Sequence, residues 1–258
     1  SRPEQVAGTA AAANPADLAA MGAVPTSLLV GLACPSSTPA AQLEQLADGL
    51  WAEARSTGAG LVGGDLTSAP VIVVSVTALG DLQGRAPVLR SGARAGDRIA
   101  VCGRLGWSAA GLAVLGRGFR SPAALVDAHR VPEPPYPAGP QAADAGATSM
   151  IDVSDGLLAD LAHVARASGV ALRLRSRPFT VAPRMAEIAS ALGLDPLRWV
   201  LTGGEDHALA ATFPGDAPLP EGWTEVGAVE APDEAGPGVT VDGRPYDGDG
   251  GWVHFAKY

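Results

Sequence analysis

A globular chain that mixes helices and strands and divides into two units is the fold class this sequence predicts. Three observations carry that reading. The chain has 258 residues, enough for one large or two ordinary domains with real cores. It is 47% hydrophobic and 17% charged, so it folds. Helical spacing and β-branched runs succeed one another, and around Asp81–Gly96 the texture turns to Gly, Arg and Pro. The boundary is placed there, giving units 1–84 and 85–258.

Composition excludes several functions. No apolar run is long enough to span a bilayer, and no signal peptide is expected. A net charge of −9 argues against nucleic acid or an anionic membrane as partner. Cys34 and Cys102 stand apart without metal-site spacing, which points to reduced thiols in a cytoplasmic protein. The one lysine is Lys257; the other basic side chains are arginines. A P-loop needs a lysine after its glycines, so any phosphate here must be neutralised by metal ions and arginine.

The elements follow in order. Residues 1–13 are small and weakly patterned. Asn14 then reads as an N-cap, with Pro15 in the first helical position and Asp17 as a capping-box acid. Ser27–Ala33 is an apolar strand. Thr38–Ser56 is an amphipathic helix capped by Thr38, with Leu43, Leu46, Leu50, Trp51 and Ala54 on one face. Leu61–Val62 is a short strand running into a Gly63-Gly64-Asp65 turn, and Val71–Leu79 is a strongly β-branched strand. Arg98–Cys102 is the next strand. Gly103-Arg-Leu-Gly106 after it has the wrong spacing for a dinucleotide loop, so its glycines are assigned to close packing ahead of a helix at 109–115. The proline-rich run 131–140 is an extended connector. Met150, Ile151 and Val153 suit the end of a short buried strand, and Ser154 reads as the cap of a helix closed by Gly169. Strands at 171–174, 224–229 and 238–241, an apolar segment at 208–213 and a helix at 183–192 complete the chain.

The chemistry gathers at three acidic glycine turns: Gly63-Gly64-Asp65, Asp152-Val-Ser-Asp155-Gly156 and Gly203-Gly204-Glu205-Asp206. Asp17 adds a fourth acid at a helix start. Glycine lets backbone approach a ligand, and hard oxygen donors without His or Cys suit Mg²⁺ held between carboxylates and substrate phosphates. Backbone N–H groups beside Ser154 would favour a metal-bound phosphate. For Ser154 and Asp155 a second reading stands beside this one: they simply cap a helix and complement its dipole.

Six runs together resemble the thiamine-monophosphate kinase family: Asn14–Ala23, Gly63–Thr67, Leu89–Asp97, Met150–Gly156, Gly203–Asp206 and Gly251-Trp-Val-His-Phe255. The resemblance spans essentially the whole chain and is shared in part with the aminoimidazole ribonucleotide synthetase-like superfamily. It implies an α+β fold of two domains: an N-terminal mixed-sheet domain that dimerises across a two-fold axis, and a C-terminal α+β domain. It also implies ATP and Mg²⁺ as co-substrate and cofactor, with transfer of the γ-phosphoryl group to thiamine monophosphate. Asp17, Asp65, Asp152 and Asp155 would bind metal, with Asp152 and Asp155 central to catalysis. Gly64, Asp65, Arg90 and Ser154 would hold the nucleotide, while Glu205 and Trp252 would face the thiamine. Trp252 can stack on an aromatic cation.

Departures accompany the resemblance. Family members carry a preceding acidic segment that this sequence does not include, so weak Mg-nucleotide binding is expected of a chain starting at Ser1. His207 stands where a tyrosine is common, and Thr67-Ser68 where an arginine is usual. Two alternatives stay open here: another ATP-dependent enzyme of the superfamily, acting on an amide or selenide, and a catalytically silent dimeric nucleotide-binding protein.

Overall fold

The structure, a computed structural model, describes residues 2–234, 236–248 and 250–252. The last part of the Gly251–Phe255 run and Lys257 lie outside them.

The chain opens with α1 (Pro3–Ala20), followed by β1 (Val24–Cys34), α2 (Ala40–Thr57), β2 (Gly60–Ser68) and β3 (Val73–Asp81). Here the first expectation fails. Residues before Asn14 are not irregular; the helix begins at Pro3, and Pro15 sits inside it. Asn14 is no cap: its Nδ2 donates to the Ala10 carbonyl at 3.4 Å. Alanines surround α1 and hide its periodicity, because they let neighbours close in on more than one side. A Cβ at Gly49 of α2 would lie 2.1 Å from the Glu4 carbonyl. With the cap gone, Asp17 loses its structural explanation.

Strands β1–β3 form a sheet of order β2-β1-β3, with β1 parallel to β2 and antiparallel to β3. Helices α1 and α2 cover one face, meeting Leu28, Val30, Leu46, Leu50 and Ala54. Gly63-Gly64-Asp65 is not a turn. It lies within β2, in register with Leu29, Val30 and Gly31, just past a bulge. Gly64 is needed there because a Cβ would fall 2.0 Å from the Val30 carbonyl. The other face is bare, with Leu29, Val73 and Leu79 exposed on it; Val62 and Leu66 of the edge strand β2 are exposed as well.

The second sheet has seven strands, β10-β9-β6-β8-β4-β7-β5. They are β4 (Arg98–Cys102), β5 (Ser149–Val153), β6 (Ala171–Leu174), β7 (Ala208–Phe213), β8 (Thr224–Glu230), β9 (Gly238–Val241) and β10 (Arg244–Pro245). β6 and β9 pair in parallel, and the other pairs are antiparallel. Between them run α3 (Trp107–Leu115), α4 (Ala123–Arg130), α5 (Ala138–Asp144), α6 (Leu157–Ser168), α7 (Pro183–Ala191) and α8 (Pro196–Thr202). The proline run is therefore only partly a connector, since α5 starts inside it.

Strand alternation sorts the two faces. Ile151, Val153, Ala208 and Ala210 point into a core with α6, α7 and α8. Met150, Leu209, Ala211 and Phe213 point into another with α1 and α5. Gly103 and Gly106 serve close packing as expected: a Cβ at Gly106 would meet the Trp199 backbone at 2.6 Å.

Candidate active site

Asp152 has the same parity as Met150 on β5, so it faces α1, and Asp17 lies there. Loss of solvent at the cleft wall, then the nearby Asp152 carboxylate, hold Asp17 above the ordinary carboxylate range, while His207 and Arg90 pull it down. Asp17, Asp152 and Arg90 line one cleft of about 400 Å³ with Met21, Leu89 and Met150. His207, unassigned by the sequence, completes the group: its Nδ1 is 3.2 Å from Asp152 Oδ2 with both side chains buried. Burial lowers its pKa, but the hydrogen bond and charge of Asp152 outweigh this, and the net shift is upward.

The β5 turn is built differently from expectation. Helix α6 begins at Leu157 with Gly156 as its cap residue, so Ser154 is not the cap. Asp160, in the first turn of α6, reaches back instead. Its Oδ2 accepts the N–H groups of Ser154, Asp155 and Gly156, each at 3.0 Å. Those donors are therefore engaged and do not await a phosphate. Burial pushes the Asp160 carboxyl up to about 6, against the pull of these N–H groups. The sequence did signal it, as an acid in a helix's first turn, but the helix start was placed two residues early.

The turn after α8 docks on this one. The Glu205 N–H donates to the Ser154 carbonyl at 2.9 Å, and the His207 N–H to Val153 at 3.1 Å. Gly204 lies so close that a Cβ would be 2.2 Å from the Ser154 carbonyl. Glu205 and His207 both adopt positive φ, 66° and 51°, a strained backbone concentrated at the site. The Trp252 N–H donates to the Asp155 carbonyl at 2.8 Å, drawing Trp252 over the same turn. A second cleft of about 410 Å³ results, lined by Ser154, Asp155, Glu205 and Trp252 together with Ser108 and His129.

The predicted residues thus divide. Asp17, Asp152 and Arg90 share one cleft; Ser154, Asp155, Glu205 and Trp252 share the other; the β5 turn separates them. Gly64 and Asp65 line neither and lie exposed on β2. Among the described residues, no group of three or more His, Cys, Asp or Glu side chains is placed to hold a metal ion. The Asp17–Asp152 pair nevertheless fits a hard cation in its donor chemistry, because two neighbouring carboxylates repel unless a positive charge sits between them, and Asp17 is already held above its ordinary range by burial and by Asp152. Such an ion would need further oxygen ligands from a phosphate.

Sheet order and site together define an enzyme of the AIR synthase-related class: residues 1–82 match the family described as AIR synthase related protein, N-terminal domain. The chain belongs to the thiamine-monophosphate kinase family within it. It is 52% identical over 259 residues to the thiamine-monophosphate kinase of Mycobacterium tuberculosis, covering 100% of this chain and 76% of that protein. The Escherichia coli enzyme is 36% identical, with 98% and 81% covered. The structure of AaThiL complexed with AMPPCP and TMP superposes with a TM-score of 0.90 at 31% identity, over 99% of this chain and 82% of that one. Hydrogenase maturation protein HypE shares the fold at 20% identity and a TM-score of 0.74, over 92% of this chain and 75% of that one.

Proposed function

We propose that the protein phosphorylates thiamine monophosphate with ATP, giving thiamine diphosphate and ADP. One observation carries this beyond family membership. Two clefts share the wall formed by β5 and its turn, one with paired carboxylates and an arginine, the other with a tryptophan and carboxylates. The first suits the polyphosphate, since Arg90 offers planar paired donors to phosphate oxygens. The second suits an aromatic cation beside Trp252 and Glu205. An oxygen of the acceptor phosphate attacks the γ-phosphorus, the bond to the β-phosphate oxygen breaks, and ADP leaves. The protein's task in such a transfer is positioning and charge neutralisation.

Mg²⁺ belongs to this reading and would neutralise phosphate charge. Asp17 and Asp152 would hold it, with Asp155 across the turn. Gly64 and Asp65 would act from the exposed strand β2 in an assembled homodimer. Residues 1–84 would form the nucleotide and dimerisation unit, and 85–258 the second unit. The bare apolar face of the first sheet supports dimerisation, because a patch of this kind marks an interface. A cytoplasmic location rests on the free, buried Cys34 and Cys102.

The direct test mixes protein, Mg-ATP and thiamine monophosphate and follows thiamine diphosphate and ADP by chromatography. Equal amounts of the two products are expected. ADP without thiamine diphosphate would defeat the assignment.

A further inference from the structure

A hydrogen-bonded pair, Ser108 and His129, lies at the Trp252 cleft. Helices α3 and α4 cross backbone to backbone at Gly111, where a Cβ would lie 2.0 Å from the Leu125 carbonyl and 2.9 Å from the His129 Cβ. That crossing sets His129 against the start of α3. Ser108 Oγ and His129 Nδ1 are 3.0 Å apart. Ser108 is itself fixed: it is 2% exposed, and its N–H donates to Asp206 Oδ1 at 2.8 Å. Asp206 follows Glu205 in the docked turn. One continuous set of contacts therefore holds His129, Glu205 and Trp252 around a common cavity.

We propose that His129, oriented by Ser108, is a specificity-determining residue for the phosphoryl acceptor, giving one hydrogen bond through Nε2 to the heterocycle of an aromatic cationic substrate. This rests on the acceptor assignment of the second cleft. The chemistry is selective. A cleft that takes a cation must not contain a competing one, and imidazole supplies a polar contact without a permanent charge. With Nδ1 engaged by a hydroxyl, Nε2 is the ring nitrogen left for a ligand, and the Ser108 bond sets its protonation. Burial holds the His129 pKa below its ordinary value, helped by Arg130 and opposed by Glu205. The charged groups facing it are Glu205 and Asp155 across the cleft, Arg130 on its own helix and Asp206 behind Ser108.

The experiment titrates thiamine monophosphate and, separately, Mg-ATP into the parent, His129→Ala, His129→Gln and Ser108→Ala by calorimetry, with initial rates alongside. His129→Ala should weaken thiamine monophosphate binding by about 10-fold, the loss of one hydrogen bond. His129→Gln should regain part of it, since its amide can stand near the Nε2 position. Ser108→Ala should show a smaller loss in the same direction, and Mg-ATP affinity should stay within about 2-fold of the parent in all three. Parent affinity for thiamine monophosphate should also fall as pH drops below the ordinary imidazole range, where a protonated imidazole repels the cation, with a shallower fall in His129→Gln. A parent that binds no thiamine monophosphate overturns the acceptor assignment and this inference together. A parent that binds it, beside folded His129→Gln and Ser108→Ala proteins of equal affinity and equal pH dependence, overturns this inference alone.

Discussion

Asp17 and Asp206 show how position changes what an acid can do. Asp17 read from its neighbours is a capping-box acid; read in three dimensions it is one of two neighbouring carboxylates in a cleft. Arg90 in the same cleft tests the nucleotide assignment. Arg90→Ala should weaken ATP binding by about 1.5–3 kcal/mol, as expected for a charged hydrogen bond. Calorimetric titration with Mg-ATP measures it, and an unchanged affinity would return Arg90 to an ordinary surface role. Asp206 makes a stability prediction. Burial pushes its carboxyl from the ordinary 3.8 up to about 6, against N–H groups of Ser108, Gly106 and Trp107, and its Oδ2 has no hydrogen-bond partner. Between those values the folded protein keeps a proton that the unfolded chain has released. Its contribution to stability therefore falls as pH rises from about 4 to 6 and stays low above, by at most about 3 kcal/mol. Asp206→Asn cannot ionise, so its stability should gain on the parent's across that window. Urea unfolding at pH 4.5, 6 and 8 compares them, and parallel pH profiles would contradict the assignment.

At the scale of elements, the site is a joint between two turns. Asp160 fixes the β5 turn from within α6, and Gly204 lets the second turn close on it. Gly204→Ala should force the turns apart and cost about 1–3 kcal/mol of stability. A misplacement of about 1 Å at such a joint should lower kcat on the order of 10²-fold. Thermal unfolding and steady-state rates measure both, and a variant with parental kcat would show that the joint does not position the chemistry. Local pattern made the strands β4, β6 and β9 readable, because short apolar runs bounded by turn residues are a short-range signal, whereas the wholly buried β7 read only as an apolar segment. It failed for α1, where alanine carries no periodicity, and for the start of α6, where Ser154 looked like a cap while the bracing acid lay six residues on.

For the whole molecule, the uncovered face of the first sheet is the main asset and hazard. Leu79 is 52% exposed there, beside Leu29 and Val73. Light scattering at micromolar concentration should give twice the mass of one chain. Leu29→Asp should shift it to monomer, since a buried charge in such an interface is strongly unfavourable. A parental monomer would sink the dimer reading and the role given to Asp65.

By itself the sequence determined the family, the acidic, lysine-poor chemistry and most strands, because residue types and short-range periodicity are properties of the chain alone. Tertiary structure decided the rest. It set Asp17 against Asp152 and His207, placed Ser154, Asp155, Glu205 and Trp252 in a second cleft, laid Asp65 along an open strand and brought Ser108 to His129. These are contacts between segments far apart in the chain, fixed by helix crossings and sheet register, and no local pattern encodes which distant partner a side chain will meet.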